Sequence, residues 1–264
     1  MSYLLIAMQI IELDTGDLFW TWGLILIAVL LIRWQKLNLE GQFLLAGFRS
    51  LIQLMFLGYI LEFIFEVNNP IAVLIIISVM ITIAAIVAKN RISNKMKKLL
   101  PIVWVALFCS TSFVVSYSIF FIIQPEDWYN PQYLIPLVGM ILGNILNGAS
   151  LSGERLASDI KNNRLTIETH LSLGATAKQA IEKYRRDAIT IGLVPNINRM
   201  MVVGLVSLPG MFTGQVFAGN NPLSAASYQI LILFMIALSN LVTILIITEG
   251  VYRQFFNSRQ QLII

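Results

Sequence analysis

A lone histidine, His170, and a lone cysteine, Cys109, set a low ceiling on what this chain can do as a catalyst. One imidazole cannot build a metal site, and one thiol inside an apolar run forms no intramolecular disulfide. No nucleophile–base pair and no metal-ligand cluster emerges, so no catalytic residue is assigned and no enzyme is expected. Function must sit instead in polar groups set into apolar runs, which are costly to place there. Arg49 and Gln53 lie one turn apart on one helical face. Asn144 and Asn147 share a face too, with Gly143 and Gly148 beside them to permit close helix approach. Ser207-Leu208-Pro209-Gly210-Met211 interrupts a further run, and Thr213, Gly214 and Gln215 continue its polar stripe.

Each of these has a plain reading and a functional one. Arg49 sits near the end of its run, where its head can snorkel to water; Gln53 is deeper and needs a partner. The asparagines could simply bond neighbouring helices. Proline removes a backbone donor, glycine loosens the turn, and the freed carbonyls must find protein or water. Broken helices of that kind border cavities in transporters. The residues expected along a pathway or gate are therefore Arg49, Gln53, Asn144, Asn147, Ser207, Pro209, Gly210, Met211 and Gln215. No metal ligand is assigned. Glu62 and Glu249 are the few carboxylates near the ends of apolar runs, and Met140, Met200, Met201 and Met211 are flexible filler as readily as a soft-metal path. So carboxylate-poor an interior suits a chelated or neutral metal complex better than a naked trivalent ion.

The elements that carry these residues are membrane spans. Of 264 residues 57% are hydrophobic and 12% charged, with a mean hydropathy of +0.78; a soluble domain carries about 25% charged residues. A helix needs about 20 apolar residues to cross a bilayer. About seven runs qualify on that criterion: 17–35, 44–66, 70–89, 99–123, 132–153, 197–218 and 226–250. Turn signals such as Asn68-Asn69-Pro70 and Gln124-Pro125-Glu126-Asp127 separate them. An all-α polytopic fold is expected, a single transmembrane domain over 17–250. The run before it is short and acidic, and reads as a periplasmic or interfacial arm over 1–16. No basic residue precedes the apolar stretch at 1–9, so no cleaved signal peptide is expected.

Charge sets the orientation. Arg33, Lys36 and Arg49 belong to the first loop, and Lys89, Arg91, Lys95, Lys97 and Lys98 to the third. The fifth loop holds those from Arg155 to Arg199, and Arg253 and Arg259 lie in the tail over 251–264. All 18 basic residues thus fall on one side. Facing them are Glu12, Asp14, Asp17, Glu62, Glu66, Glu126 and Asp127. Basic short loops stay cytoplasmic, which predicts the N-terminus outside and the C-terminus inside an inner membrane. The basic loop at 89–98 sits between two spans, so it meets lipid headgroups and not nucleic acid.

The one sizeable soluble element is an insert over 154–196. Thr166 is predicted to cap a short helix that Gly174 ends; Thr176, with Gln179 three residues on, caps a second. Ala177, Ala180, Ile181, Tyr184, Ala188 and Ile191 give that second helix an apolar face, and Pro195 is expected to close it. It could lie on the membrane surface as an elbow, or the short helix and the glycine break could form a knob for a cytoplasmic partner. No segment here is a phosphate-binding loop: GASLSGER at 148–155 places Glu154 where the lysine is needed.

Glu168…Gly174-Ala175-Thr176 resembles the coupling loop of ABC-transporter permeases, with Thr169 and His170 in place of two alanines. The stretches FRSLIQLMFLGYIL (48–61), PLVGMILGNILNGASLSGERL (136–156) and VPNINRMMVVGLVSLPGMFTGQVFAGNNPLSAASYQI (194–230) resemble the FetB family. These are membrane subunits of a small ABC-type exporter linked to iron, with plant relatives tied to aluminium tolerance. The resemblance covers about residues 40–250; the termini carry none. It implies a permease moving iron or a related metal species, paired with a separate cytoplasmic ATPase and a second copy of itself. ATP and Mg2+ would bind that partner, and this chain would hold no cofactor. Glu168, Leu171, Gly174, Ala175 and Thr176 would be the ATPase-coupling residues. Two other classes stay open at this stage: a self-contained secondary transporter or channel, and a membrane scaffold recruiting a cytoplasmic partner.

Overall fold

The structure is a computed structural model, described here for residues 14–67, 69–93, 96, 98–257 and 259–263. The expected N-terminal arm up to residue 13, Asn68 of the predicted turn, and Lys95 and Lys97 of the basic loop lie outside the described residues. Regular structure among the rest is helical. The order is α1 (Thr15–Trp34), α2 (Glu40–Val67), α3 (Pro70–Ile92), α4 (Leu99–Tyr117), α5 (Pro131–Asn162), α6 (Arg164–Ser172), α7 (Ala177–Val202), α8 (Gly210–Phe217) and α9 (Pro222–Phe255). A π-helical stretch, Ser118–Ile123, prolongs α4 and stops at Gln124, whose φ is 45°.

Three long helices begin in the same way. Asn69, Asn130 and Asn221 each precede a proline, and each side-chain oxygen accepts the backbone N–H two residues on, at 2.8, 3.0 and 2.8 Å. The asparagine satisfies a donor the helix leaves orphaned, and proline at the first helical position gives up an N–H that had no partner anyway. Five helical segments are long and apolar enough to cross a membrane: Glu40–Val67, Pro70–Ile92, Leu99–Ile123, Pro131–Asn162 and Pro222–Phe255. A shorter apolar helix runs Trp20–Trp34. Exposed Leu54, Phe56, Tyr59 and Phe121 are natural on a surface whose solvent is lipid. The protein is an all-α, multi-pass membrane protein.

The sixth expected span, 197–218, is not one helix. Helix α7 runs on through Pro195 to Val202 where an end was predicted, and it is α7, not a separate helix, that carries the chain to the break. Residues 203–209 then form an irregular turn. Gly204 adopts φ 81°, and the Val202 carbonyl accepts N–H groups from Leu205, Val206 and Ser207 at 3.3, 3.0 and 3.3 Å. Residue 154 lies inside α5 and residue 196 inside α7, so no backbone break marks either end of the predicted insert.

The chain divides into two compact units, Met1–Asn68 with Phe217–Asn220, and Asn69–Val216 with Asn221–Ile264. In the first, α1 and α2 pack together where Gly47 faces Ile25. In the second, α5 is the central helix, packed against α3, α7 and α9, while α4 lies against α9 and α3. Glycines set the spacing. A Cβ on Gly148 would fall 2.1 Å from Asn240 Oδ1, one on Gly192 2.8 Å from Ile244 Cδ1, and one on Gly250 2.2 Å from Ile102 Cγ2. Between α4 and α9, Thr243 Oγ1 lies 2.6 Å from Ser110 Oγ.

Ile102 Cγ2 branches from Cβ, and an isoleucine in a helix has one strongly preferred χ1 rotamer, so it does not swing aside cheaply. Gly250→Ala should therefore destabilise by about 1–3 kcal/mol through overpacking, in spite of alanine's better helix propensity. Gly58→Ala, with nothing within 4 Å, should be neutral or stabilising by up to about 1 kcal/mol. Thermal unfolding in mild detergent measures both, and equal melting temperatures would mean that α4 and α9 do not pack this closely.

Candidate functional site

Two places gather the residues that the sequence singled out. The first is the turn between α5 and α7. Asn163 alone separates α5 from α6, with its N–H and Nδ2 both donating to the Asp159 carbonyl at 3.0 and 2.8 Å. So tight a connection starts α6 at Arg164, and Thr166 lies inside the helix instead of capping it. Ile167 is fully buried and fastens α6 to the body, while Leu165 and Leu173 are 79% and 82% exposed.

Helix α6 ends as the glycine predicted. Gly174 takes φ 92°, the Ala175 N–H donates to the His170 carbonyl at 3.0 Å, and the Gly174 N–H donates to the Leu171 carbonyl at 3.0 Å. This is the Schellman pairing, which needs a residue free to enter the left-handed region. Thr176 then caps α7: its Oγ1 accepts the Gln179 N–H at 3.3 Å, and its own N–H donates to Gln179 Oε1 at 2.9 Å. Glu168 is drawn back along α6 by Arg164 at 2.8 Å.

The C-terminal tail joins this site, which no sequence signal announced. After α9 it folds back, the Ile263 N–H reaching the Phe255 carbonyl at 2.7 Å. Gln260 Oε1 accepts the Ala177 N–H at 3.0 Å, satisfying another donor at the start of α7. Glu168, Leu171, Gly174 and Ala175 thus face Gln260 and Leu262 across an open groove of about 850 Å³. Below it, Glu249 of α9 is held by Arg185 of α7 at 3.4 Å and by Arg253 at 2.9 Å. That arrangement removes Glu249 from the candidates for a free oxygen ligand. Among the described residues no three His, Cys, Asp or Glu side chains come together as a metal site.

The second place lies along α5. Asn147 Oδ1 accepts from Arg91 Nη1 of α3 at 3.0 Å, and Asn144 Oδ1 accepts from Arg199 Nη1 of α7. Asn144 Nδ2 donates to the Met140 carbonyl at 2.6 Å. The asparagines do bond neighbouring helices, yet their partners are arginines that the sequence placed only as loop charges. Arg199 stands in the last turn of α7, and its carbonyl accepts the Val203 N–H at 3.1 Å.

The broken segment follows at once. Ser207 closes the irregular turn, accepting the Gly204 N–H at 2.9 Å. Pro209 precedes α8, and Gly210, Met211 and Gln215 lie within it, Met211 and Gln215 half-buried. Val203, Gly204, Leu208 and Pro209 wall a cavity of about 320 Å³ against α9. Gln229 lines it too, and its buried Oε1 has no hydrogen-bond partner among the described residues. Gln229 was missed because Ala225 and Ala226, one turn before it on α9, give it no polar neighbour at helical spacing. Arg49 and Gln53 are exposed on α2, in the first unit.

Comparison with known proteins agrees with this architecture. The model of the Uncharacterised protein family (UPF0014) matches residues 15–256. The chain is 54% identical to the "UPF0014 membrane protein slr1647" of Synechocystis sp. over 97% of its length and 98% of the relative's. It is 35% identical to the "Probable iron export permease protein FetB" of Escherichia coli, over 91% and 92% of the two chains. It is 31% identical to the "Protein ALUMINUM SENSITIVE 3" of Arabidopsis thaliana, over 90% and 86%. No solved structure matches. The chain belongs to UPF0014, the family of FetB and of its plant aluminium-sensitivity relatives.

Proposed function

We propose that the chain is the permease subunit of an ATP-driven exporter, working as a homodimer with a separate cytoplasmic ATPase. The observation that carries this reading is α6. Leu165 of α6 and Leu173, which ends it, stand largely exposed, while Ile167 of the same helix is buried. Apolar side chains left outward on a short helix suit a partner's groove. The break set by Gly174, the capping box and the tail hold the knob in one orientation, as a lever end must be held. FetB, by its printed name, is a permease for iron export, and iron or a related metal species is the cargo proposed here.

Closure of the ATPase would push α6, and α5 and α7 would carry the push to the 203–209 turn. Alternating access would follow as the segments around Pro209 and Gly210 rock about the cavity beside α9. The proposed topology has about seven crossings, adding the shorter Trp20–Trp34 helix and the broken 197–218 segment to the five long apolar helices, with the N-terminus outside and the C-terminus inside.

Two experiments test this reading. Tagged protein purified in mild detergent from its native membrane after crosslinking should bring a P-loop ATPase with it. Leu165→Asp, Leu173→Asp, Gly174→Asp and Glu168→Lys should each shed most of that ATPase, while Lys183→Gln keeps it. If the parent brings no ATPase, the coupling role fails and a self-contained carrier replaces it. For topology, exposed Cys109 is first replaced by alanine. A membrane-impermeant maleimide should then label Glu126→Cys in intact cells, and Thr169→Cys only after the membrane is opened. The opposite labelling would invert the orientation.

A further inference from the structure

We infer that Arg91 and Arg199, anchored on Asn147 and Asn144, form a binding site for an oxyanion, a carboxylate or phosphate group. The cargo would then cross as an anion or an anionic chelate and not as a bare metal cation. Only the identification of this anion as cargo rests on the permease reading; the site itself does not.

The geometry comes first. Asn144 and Asn147 are one turn apart on one face of α5, and each holds a guanidinium from a different neighbouring helix. Two positive groups are therefore fixed along the same short length of α5. Each asparagine oxygen takes one N–H from a guanidinium that offers five, so most of the fork is left over. A carboxylate or phosphate matches that fork with parallel, charge-assisted bonds.

Charge comes second. The ion pairs among the described residues engage Arg155, Arg164, Arg185, Arg186 and Arg253. Among the described residues neither Arg91 nor Arg199 is paired with a carboxylate. Asparagine orients a guanidinium without neutralising it, so each keeps its positive charge beside α5. Two like charges repel a third, which argues against a bare cation at this spot.

Space and position come third. The flank of α5 that carries Gly143, Asn147 and Leu151 is exposed, while Ile141, Ile145 and Ala149 are buried among the neighbouring helices. A Cβ built on Gly143 meets nothing within 4 Å, so open space lies beside Asn144. Arg199 also directly precedes the 203–209 turn. A ligand held by Arg199 would thus lie one helical turn from the segment proposed to move.

An anionic group could come from a dissolved ligand or from a lipid headgroup, and the test separates the two. The full-length protein is placed in nanodiscs of phosphatidylcholine alone, and in nanodiscs that also contain phosphatidylglycerol. Titration calorimetry follows citrate, its iron(III) complex, inorganic phosphate and unchelated iron(II). In phosphatidylcholine, citrate or its iron complex should bind, with affinity at least ~10-fold weaker in the Arg91→Gln/Arg199→Gln double variant, which loses the charge-assisted bonds. Arg199→Lys, which keeps the charge but loses the fork, should fall between, and Lys178→Gln should match the parent. If the soluble probes fail but native mass spectrometry finds phosphatidylglycerol retained by the parent and lost from the double variant, the oxyanion site stands with a headgroup in it, and the cargo inference is overturned.

Equal binding by parent and double variant overturns the site. So does unchelated iron(II) binding in both when no anion is held. Failure to recover an ATPase sinks the coupling reading and leaves these titrations standing, so the two can fail separately.

Discussion

Everything in the second unit hangs on how closely α5 can lie against α7 and α9. Asn240 of α9 sits over Gly148, its Oδ1 occupying the place where a larger residue would put its Cβ. Asn240 Nδ2 donates to the Gly192 carbonyl at 3.3 Å, so one side chain touches all three helices at their crossing. Gly192 in turn leaves room for Ile244 and Ser152. Lipid gives apolar side chains no hydrophobic reason to associate, so such helices hold together by close van der Waals fit and buried hydrogen bonds. A glycine on each of two helices and an amide on the third supply both.

That crossing turns two helices into one stiff member. Helix α5 has 32 residues and α7 has 26, so each is roughly 40–50 Å long at 1.5 Å per residue. Asn147 and the start of α6 are about 24 Å apart on the same count. Because α5 runs unbroken from the asparagine pair to Asn163, a push on α6 reaches Asn144 and Asn147 without a hinge between. Helix α7 does the same from Thr176 to Arg199, through Pro195. The first backbone freedom past that point is the 203–209 turn, where the ladder of helical bonds collapses onto one carbonyl.

How much of this was legible from sequence follows the range of each interaction. The end of α6 and the start of α7 were readable because Gly174, Thr176 and Gln179 act within a few residues of one another. Apolar run lengths marked the long helices for the same reason. The start of α6 was misplaced by three residues because Asn163 and Thr166 are both acceptable cap types, and only the abrupt exit from α5 decides between them. The end of α7 was misplaced because a proline signal is local, while the packing that carries α7 through Pro195 is not. Arg91 and Arg199 were sorted with the loop charges because their partners lie 56 and 55 positions away. Gln260, 83 positions from Ala177, was invisible for that reason alone.

Glu249 shows how partner geometry changes the meaning of a residue type. By composition it was one of two carboxylates near the apolar interior, a natural candidate for a hard cation. In the structure Arg185 and Arg253 hold it on two sides, so α7 and α9 are tied together near the α6 end of the unit. A carboxylate already facing two guanidiniums has little field left for a metal, and releasing it would strand Arg185, whose buried Nε has no hydrogen-bond partner among the described residues. Glu249 is therefore a strut. It fastens the helix that begins at the Thr176 cap to the helix that walls the cavity beside Pro209.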